Sequence, residues 1–307
     1  MSLRILFLGT AASVPTPTRS LPAILIQRKD EYLLFDAGEG VQRQMIKAKT
    51  GFHKKMKVFI SHMHGDHVLG LPGLLQTMAL NNRQKAVEVY GPVGIKRFLE
   101  CIQETVQFVL TFPLRVHELE GNRVVCEETD YTVETACSNH VIPSQAYALT
   151  EKPRPGKFHP EKARELHVPE GKLWSELQHG RKVTLPNGRT VVPAAVLGPQ
   201  RRGRKITYSG DTRTCEAVIQ LARESDVLIH EATLDDSLAE KAVEDGHSTP
   251  THAAETAKKA NVRLLVLTHI SARYTDATLL LLQAQKTFSN TLIAEDFTEL
   301  ALPLSEG

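Results

Sequence analysis

Short apolar runs rich in β-branched and aromatic residues recur along the chain, and turn-forming residues bound each of them. This pattern predicts strands. The predicted strands are Leu3–Leu8, Ala23–Gln27, Tyr32–Phe35, Val58–Ile60, Val87–Tyr90, Val124–Cys126, Thr132–Ala136, Ala146–Leu149, Lys205–Tyr208, Val227–Ile229 and Leu264–Leu267.

Apolar residues at helical spacing predict helices over Gly94–Gln107, Cys215–Glu224, Thr251–Lys259 and Ala277–Phe288. Strands precede helices in repeated alternation, and the first half of the chain is richer in strands. This order predicts a layered α/β domain with mixed sheets. The 307 residues, 41% of them hydrophobic, are enough for a well-buried core.

Between Lys152 and Gly203 the pattern changes, because prolines recur and apolar residues are sparse. The Asn187-Gly188 pair predicts a hairpin there, and Glu161–His167 and Leu173–Leu177 predict two short helices. With so few apolar residues, the segment is not expected to form a core. We therefore predict one domain, residues 1–307, interrupted by an inserted arm at 152–203.

The formal net charge of +2 hides an asymmetry. Residues 151–205 hold 13 Lys or Arg against 5 Asp or Glu, a net of +8, whereas the remainder holds 24 against 30, a net of −6. A basic segment in a mildly acidic chain indicates a polyanionic partner. A solvated, charged insertion without a ligand is the alternative interpretation.

The first apolar run is too short for a membrane span and is more typical of a strand than of a secretory signal. The four cysteines, Cys101, Cys126, Cys137 and Cys215, form no CxxC pair. This usage is typical of reduced thiols. We therefore expect a soluble, cytoplasmic protein with no membrane partner.

Three histidines and an aspartate lie within six residues of the stretch FISHMHGDHVLGLPG, from Phe59 to Gly73. In extended backbone, residues i and i+2 face the same way, so His62 and His64 can bind one ion, and the next turn directs Asp66 and His67 toward a second. A two-metal hydrolase needs about seven imidazole or carboxylate donors. A pH-sensitive loop or a capped turn is the alternative.

Other candidate donors follow predicted strands at later positions, namely His140, Asp211 and His269. A single histidine at such a place is more often structural. Donors that recur at strand ends, however, can converge over a rigid scaffold at one edge of a sheet. The recurrence favours a metal-dependent hydrolase.

Several motifs of this chain resemble those of the ribonuclease Z family of tRNA 3′-processing endonucleases, in the metallo-β-lactamase superfamily. They are FLGTAAS, FDAGEG, HMHGDH, SGDT, HEAT, HST and LTHISARY. The resemblance runs from Leu6 to Phe297. It implies an αββα sandwich of two mixed β-sheets flanked by helices, with an inserted flexible arm. It also implies a hydrolase that removes the 3′ trailer from tRNA precursors, leaving a 3′-hydroxyl on the tRNA and a 5′-phosphate on the trailer.

Two Zn²⁺ ions per subunit are implied by the same resemblance, with Mn²⁺ as an alternative ion. Its first implied ion site is His62, His64 and His140, its second is Asp66, His67 and His269, and Asp211 bridges the two.

The resemblance further implies that Asp66 accepts a proton from the attacking water. His247 is the candidate general acid, oriented by Glu231, although it could instead only decorate a helix N-terminus. Arg273 is a candidate contact to the scissile phosphate or a salt bridge within its own loop. Asp36 is a candidate carboxylate for orienting a metal-binding histidine, or a turn cap.

A homodimer is implied as well, in which the basic arm of one subunit holds the tRNA precursor for the other; no DNA partner is expected. The loop Pro15–Ser20 departs from the family pattern P-x-K-x-R-N, with Pro17 for lysine and Ser20 for asparagine. The alternative functions are a phosphodiesterase of the same fold acting on small cyclic or phosphonate diesters, and a non-catalytic RNA-binding scaffold.

Overall fold

The structure is a computed structural model that describes residues 3–304. The strands are β1 (Leu3–Gly9), β2 (Ala11–Ala12), β3 (Ala23–Arg28), β4 (Glu31–Phe35), β5 (Lys55–Phe59), β6 (Val87–Pro92), β7 (Leu114–Leu119), β8 (Arg123–Glu127), β9 (Tyr131–Ser138), β10 (Ser144–Glu151), β11 (Val183–Thr184), β12 (Thr190–Val191), β13 (Lys205–Tyr208), β14 (Val227–Glu231), β15 (Leu264–Thr268), β16 (Ile270–Ser271), β17 (Thr291–Ile293) and β18 (Glu299–Leu302).

The helices are α1 (Val41–Lys47), α2 (Gly65–Val68), α3 (Gly70–Leu80), α4 (Ile95–Val106), α5 (Pro160–Glu165), α6 (Lys172–Gln178), α7 (Glu216–Ala222), α8 (Ala239–Asp245), α9 (Pro250–Lys259) and α10 (Thr278–Thr287), with 3₁₀ turns at Pro193–Ala195 and Asp236–Leu238. The described chain divides into a larger unit of residues 3–150 and 205–303 and a smaller unit of 151–204 with Leu304.

Two seven-stranded mixed sheets form the larger unit. The first has the order β18-β1-β3-β4-β5-β6-β7 and the second β17-β15-β14-β13-β10-β9-β8. In the first sheet β4 to β7 run parallel, and in the second β13, β14, β15 and β17 run parallel. Parallel neighbours end at the same edge of a sheet, so side chains that follow them can meet.

An aromatic core lies between the two sheets. Phe59 of β5 stacks on Phe35 of β4, with ring centroids 5.1 Å apart, and on Tyr90 of β6 at 5.0 Å. Tyr147 of β10, in the second sheet, lies 5.5 Å from the ring of Phe59. These large side chains alternate along their strands with residues that face the outer helices, as a sheet covered on both faces requires.

Helices cover the outer face of each sheet. Residues of α1, α3 and α4 pack in one apolar cluster with the first sheet, and residues of α9 and α10 pack in another with the second. The arrangement confirms the αββα sandwich of two mixed sheets expected from the sequence. No helix within residues 3–304 has both the length and the apolar composition that crossing a bilayer would require.

Helix α3, which the sequence pattern did not predict, contains two glycines and a proline. Pro72 is the third residue of α3, where a missing N–H costs no intrahelical bond, because the first four amides of a helix have no partner. Gly70 is required by packing, since a Cβ there would lie 1.9 Å from the Gly38 carbonyl oxygen. The sequence pattern also missed α1, α8, β7, β17 and β18.

The smaller unit corrects one expectation, because it has an apolar core of its own. Ala163, Val168, Leu177, Val183, Leu185, Val191 and Val196 are buried together. Phe158 and Trp174 pack beside this core, with ring centroids 5.2 Å apart. Few apolar residues suffice here because two short helices and one hairpin all point them inward. The hairpin at Asn187-Gly188 is confirmed, with Gly188 at a φ of +81°.

Candidate metal centre

The candidate donors follow the ends of strands from both sheets. His62 and His64 lie in the segment after β5, and Asp66 and His67 lie in the short helix α2. The predicted turn that carries Asp66 and His67 is therefore helical. Tyr147 donates to the Ile60 carbonyl oxygen at 2.7 Å, which fixes the start of this segment against the second sheet.

His140 follows β9, Asp211 follows β13 and His269 follows β15. Since β13, β14 and β15 are parallel neighbours, Asp211 and His269 emerge at one edge. Both are nearly inaccessible to solvent. His269 has a left-handed backbone, with φ at +57°, which turns its side chain out of the strand direction.

The first donor group consists of His62, His64 and His140. The Nδ1 atom of His64 lies 3.0 Å from His62 Nε2 and 3.2 Å from His140 Nε2. Two donors bound tetrahedrally to one zinc ion are about 3.3 Å apart. Both of these separations match that value, and all three ring nitrogens lie within 4.8 Å of one another, which fits a single ion between them.

The second donor group consists of Asp66, His67 and His269. His67 Nε2 lies 3.2 Å from His269 Nε2 and 3.4 Å from Asp66 Oδ2, and His269 Nε2 lies 3.5 Å from Asp66 Oδ2. All three separations are again those of donors that share one tetrahedral ion.

Asp211 connects the two groups. Its Oδ2 is 3.4 Å from the Nε2 atoms of both His67 and His269, and 3.6 Å from His62 Nε2. Its Oδ1 is buried and has no hydrogen-bond partner among residues 3–304. A buried carboxylate oxygen without a donor is costly unless a cation satisfies it. The residues present therefore fit two divalent ions with Asp211 between them.

The electrostatics of the cluster favour a bound cation. Burial lowers the pKa of His62 well below its ordinary value, so its ring is neutral and able to bind metal. Burial acts in the same direction on His67, but the carboxylates of Asp211 and Asp36 raise the pKa of His67 well above its ordinary value. Buried carboxylates thus draw positive charge to this position, which a divalent ion can supply.

Among residues 3–304, each donor histidine except His64 has a partner for its other ring nitrogen. His62 Nδ1 is 2.9 Å from Ser61 Oγ, and His140 Nδ1 is 2.8 Å from the Gly246 carbonyl oxygen. His269 Nδ1 is 2.8 Å from Thr233 Oγ1. Such contacts fix the tautomer and the ring plane of a metal-binding histidine.

Asp36 supplies this contact for His67, with Oδ2 2.7 Å from His67 Nδ1. The carboxylate is itself held by the Ser61 backbone amide at 2.7 Å, the Ser61 hydroxyl at 2.8 Å and the Tyr208 hydroxyl at 2.6 Å. Asp36 and Ser61 follow neighbouring strands of the first sheet and Tyr208 ends β13 of the second. Asp36 is thus a junction between the sheets directly beneath the donors.

A histidine–carboxylate pair stands beside the donors. His247 Nδ1 is 3.0 Å from Glu231 Oε1, and Glu231 is almost fully buried at the end of β14. Burial lowers the pKa of His247, but the Glu231 carboxylate outweighs it and the net effect raises that pKa to about 9. Because Nδ1 faces Glu231, Nε2 is the nitrogen left to act on a substrate.

The remaining predicted residue, Arg273, lies apart from this network. It is exposed, and its Nε donates to Ser271 Oγ at 3.3 Å. In the described part of the chain it makes no hydrogen bond with any of the seven donors or with His247. Its contact with a substrate phosphate stays a prediction.

The loop Pro15–Ser20, which departs from P-x-K-x-R-N, is held in place by its own arginine. The buried Arg19 donates from Nη1 to Thr10 Oγ1 at 2.8 Å and to the Ala294 carbonyl oxygen at 2.6 Å. The Ser13 amide, two residues before this loop, donates to Asp66 Oδ2 at 2.9 Å. Arg19 therefore holds the loop in place, while Ser13 touches a donor directly.

Sequence reasoning missed Thr233, whose hydroxyl connects the His247–Glu231 pair to the donor His269. Its Oγ1 donates to Glu231 Oε2 at 2.7 Å and accepts from His269 Nδ1 at 2.8 Å. The signal was available, because Thr233 is the last letter of HEAT. Ser61 and Tyr208 were missed too, since each precedes a candidate donor region and reads as an ordinary strand residue.

Comparison with known proteins gives a consistent result. Residues 31–270 match the family described as "Beta-lactamase superfamily domain". The chain is 47% identical over 302 residues to ribonuclease Z of Methanosarcina acetivorans, covering 98% of both chains, and 43% identical over 310 residues to that of Archaeoglobus fulgidus, covering 100% of both. The crystal structure of human tRNase Z, short form, matches with a TM-score of 0.74 and 31% identity, covering 98% of this chain and 100% of that chain.

We expect Thr233→Val to loosen the second ion site, because the isosteric change leaves the Nδ1–H of His269 and Oε2 of Glu231 without their shared partner. Loss of such an outer contact typically lowers metal affinity about 10- to 100-fold. Zn²⁺ affinity is measured by competition with a chromophoric chelator, with Thr233→Ser as the matched control that retains the hydroxyl. Equal Zn²⁺ affinity of Thr233→Val and the unmodified protein, at equal thermal stability, would contradict the assignment.

Proposed function

The chain belongs to the ribonuclease Z family of the β-lactamase superfamily, and from this membership we propose a zinc endoribonuclease that removes the 3′ trailer of tRNA precursors. The observation that carries the proposal is the pair of donor groups that share Asp211 and lie beside the His247–Glu231 pair. Identity above 40% over the full length with ribonucleases Z disfavours a small-diester phosphodiesterase. The complete donor set disfavours a non-catalytic scaffold.

Zinc held by the two donor groups would supply a nucleophilic water at neutral pH and neutralise charge on the scissile phosphate. Mn²⁺ is an alternative ion, since the family membership implies only a divalent metal. Asp66, fixed by the Ser13 amide, accepts the proton of the attacking water. The water oxygen bonds to phosphorus as the bond from phosphorus to the 3′-oxygen breaks.

His247 protonates the departing 3′-oxygen from Nε2 while Glu231 holds its Nδ1–H. The products are a tRNA with a 3′-hydroxyl and a trailer with a 5′-phosphate. Glu231 is held for this task by the Thr212 amide at 3.0 Å and the Thr233 hydroxyl at 2.7 Å. The Thr233 amide also donates to Glu231 Oε2 at 3.2 Å, and a carboxylate with three fixed partners keeps the imidazole in one orientation.

The function is tested by incubating the protein with a 3′-extended tRNA transcript and mapping both new ends. We expect one cut at the 3′ end of the tRNA, with a 3′-hydroxyl on it and a 5′-phosphate on the trailer. Prior removal of metal by a chelator abolishes cleavage, and Zn²⁺ or Mn²⁺ restores it. Asp211→Asn is the inactive control. Absence of cleavage with either ion, in protein shown to bind two ions, would rule out the proposal.

Two substrates with different leaving groups distinguish a general-acid role of His247 from a role in holding the metal centre. A general acid contributes roughly 10²- to 10⁴-fold when the leaving oxygen is basic. We expect His247→Ala to lower kcat on the tRNA precursor by about that factor. Bis(p-nitrophenyl) phosphate, whose leaving group needs no proton, is affected far less.

His252→Ala is the matched control, because His252 is partly buried nearby on α9 and bonds to the Thr249 amide rather than to Glu231. A similar loss on both substrates in His247→Ala would point to a disturbed metal centre and contradict the acid role.

The arm is proposed to bind the tRNA through its phosphates. Exposed cations there include Lys157, Lys172, Lys182 and Arg189, and none of these four forms an ion pair within residues 3–304. Contacts of lysine and arginine with phosphates give affinity without reading sequence, so recognition of RNA shape follows. No DNA partner is proposed, and the cytoplasmic location stays a prediction that four free cysteines support.

A homodimer is proposed, and exposed apolar side chains on α1 and at the two ends of α3 support it. Ile46, Leu69 and Leu80 are 59%, 53% and 79% exposed. Gly73 packs against Gln42, one helical turn before Ile46, so the two helices form a continuous surface. Exposed apolar residues that share one surface favour an interface, and a second copy of the chain can cover it through two-fold symmetry.

A complementation experiment tests the arm and the dimer together. Arg154 and Arg201 exchange both backbone hydrogen bonds, at 2.8 and 2.9 Å, so a two-residue Asn-Gly turn can replace residues 155–200. We expect this armless chain to cleave bis(p-nitrophenyl) phosphate normally, but to have a KM for tRNA precursor at least about tenfold higher.

Co-expression of the armless chain with Asp211→Asn restores cleavage at low precursor concentration, because the intact arm serves the partner's metal centre. Adding Leu80→Glu to both chains removes the restoration. Activity no higher in the mixture than in the armless chain alone would contradict action between subunits.

A further inference from the structure

A cavity of about 500 Å³ lies on the α1 side of the first sheet. It is lined by Arg4, Leu6, Leu25, Gln27, Tyr32, Lys47, Ala48, Lys49, Thr50, Lys54, Phe297 and Glu299, and we name it the lysine pocket. None of these residues belongs to the metal centre or to the arm. The volume is in the range of small-ligand sites.

The charge of the lysine pocket is strongly positive. Its one carboxylate, Glu299, accepts from Arg4 Nε at 2.7 Å, and this ion pair lowers the pKa of Glu299. Lys47, Lys49 and Lys54 form no ion pair within residues 3–304. Three unneutralised cations around one concavity repel each other, so an anion bound among them relieves that repulsion.

The aromatic side chains of the pocket point to more than a simple anion. Phe297 is 40% exposed, and its backbone φ is +69°, which is unusual and strained for a bulky residue. Lys47 Nζ lies 5.9 Å from the centre of its ring, and Lys54 Nζ lies 4.9 Å from that of the buried Tyr32. The strained backbone at Phe297 thus keeps a flat apolar ring exposed in a pocket that also holds three lysines.

A phosphate group joined to a planar base matches this combination. Lysine binds phosphate as a point charge, and an exposed aromatic ring stacks on any base. We propose that the lysine pocket binds a nucleotide of the RNA substrate, with the phosphate on Lys47, Lys49 and Lys54 and the base on Phe297. The inference rests on the proposed function and adds a substrate contact outside the arm.

Helix α1 connects the loop that carries Asp36 to the lysine pocket. Helix α1 starts directly after the FDAGEG loop that carries Asp36 and ends at Lys47. At 1.5 Å per residue its seven residues span about 10 Å. The end of α1 at the lysine pocket is therefore about one helix length from the loop that carries Asp36.

The test compares Lys47→Gln/Lys49→Gln with Lys258→Gln/Lys259→Gln. Lys47 and the control lysines occupy the last turns of α1 and α9, the control lysines are exposed, and both double variants remove two charges. We expect the pocket variant to raise KM for the tRNA precursor about three- to tenfold, with kcat unchanged. The slope of log(kcat/KM) against log[salt] becomes shallower by about 1. A KM and salt slope equal to those of the control would overturn the proposal.

Phe297 is tested by Phe297→Leu, with Phe297→Tyr as the conservative control. Loss of stacking raises KM roughly fivefold or more in Phe297→Leu, whereas Phe297→Tyr stays near the unmodified value. Equal KM in the two variants would exclude base stacking on this ring.

Failure of the proposed function is distinguished by two measurements that need no tRNA cleavage. Hydrolysis of bis(p-nitrophenyl) phosphate reports on the metal centre, and we expect it to be unchanged in every pocket variant. Fluorescence anisotropy of a labelled single-stranded oligoribonucleotide reports on the pocket, and its Kd should rise in Lys47→Gln/Lys49→Gln relative to the control pair. If the protein cleaves no precursor but the Kd rises in Lys47→Gln/Lys49→Gln, only the tRNA function is refuted. If the protein cleaves precursor and the Kd does not rise, the proposed role of the pocket is refuted.

A free mononucleotide is the other source of the same chemistry. Adenosine monophosphate raises the Tm of the unmodified protein, but not of Lys47→Gln/Lys49→Gln, if the pocket accepts a free nucleotide. An unchanged Tm together with the KM and salt effects assigns the pocket to the RNA strand.

Discussion

The position of Asp211 constrains the rest of the structure. One carboxylate must lie within 3.6 Å of ring nitrogens that arrive from the end of β5, from α2 and from the end of β15. This is possible only if the two sheets meet with their donor-bearing edges together. The aromatic core between the sheets, built on Phe59, sets that spacing. A change in its thickness would therefore alter every distance that joins Asp211 or His269 to the donors that follow β5.

Asp36 shows how the fold resists such a change. It accepts from Ser61 of the first sheet and Tyr208 of the second, and it contacts His67. The contacts are all buried, and a charged acceptor in a region of low dielectric binds its donors tightly. The same group therefore fixes the sheets to each other and the ring of His67 to the site, which links the rigidity of the scaffold to the chemistry.

The sequence predicted most of the second sheet and the helices that follow it, because apolar runs there alternate cleanly with helical spacing. It could not predict α3, in which Gly70 is needed for a contact with Gly38 that is distant in the chain. The donors were found because imidazole and carboxylate are informative wherever they cluster. Thr233 was not, because a hydroxyl is common and its importance depends on two partners that only the tertiary structure brings together.

The base of the arm bears on the folding of the chain. Glu151 and Arg204 form a buried ion pair, and the Glu151 amide donates to the Arg204 carbonyl oxygen at 2.9 Å. The next pair, Thr150 and Lys205, joins β10 to β13, two strands that are far apart in the sequence because the whole arm lies between them. If the core of the arm formed first, it would hold those ends side by side. The entropy of loop closure would then be met within the arm, and the distant pairing of β10 with β13 would cost little more than a local one.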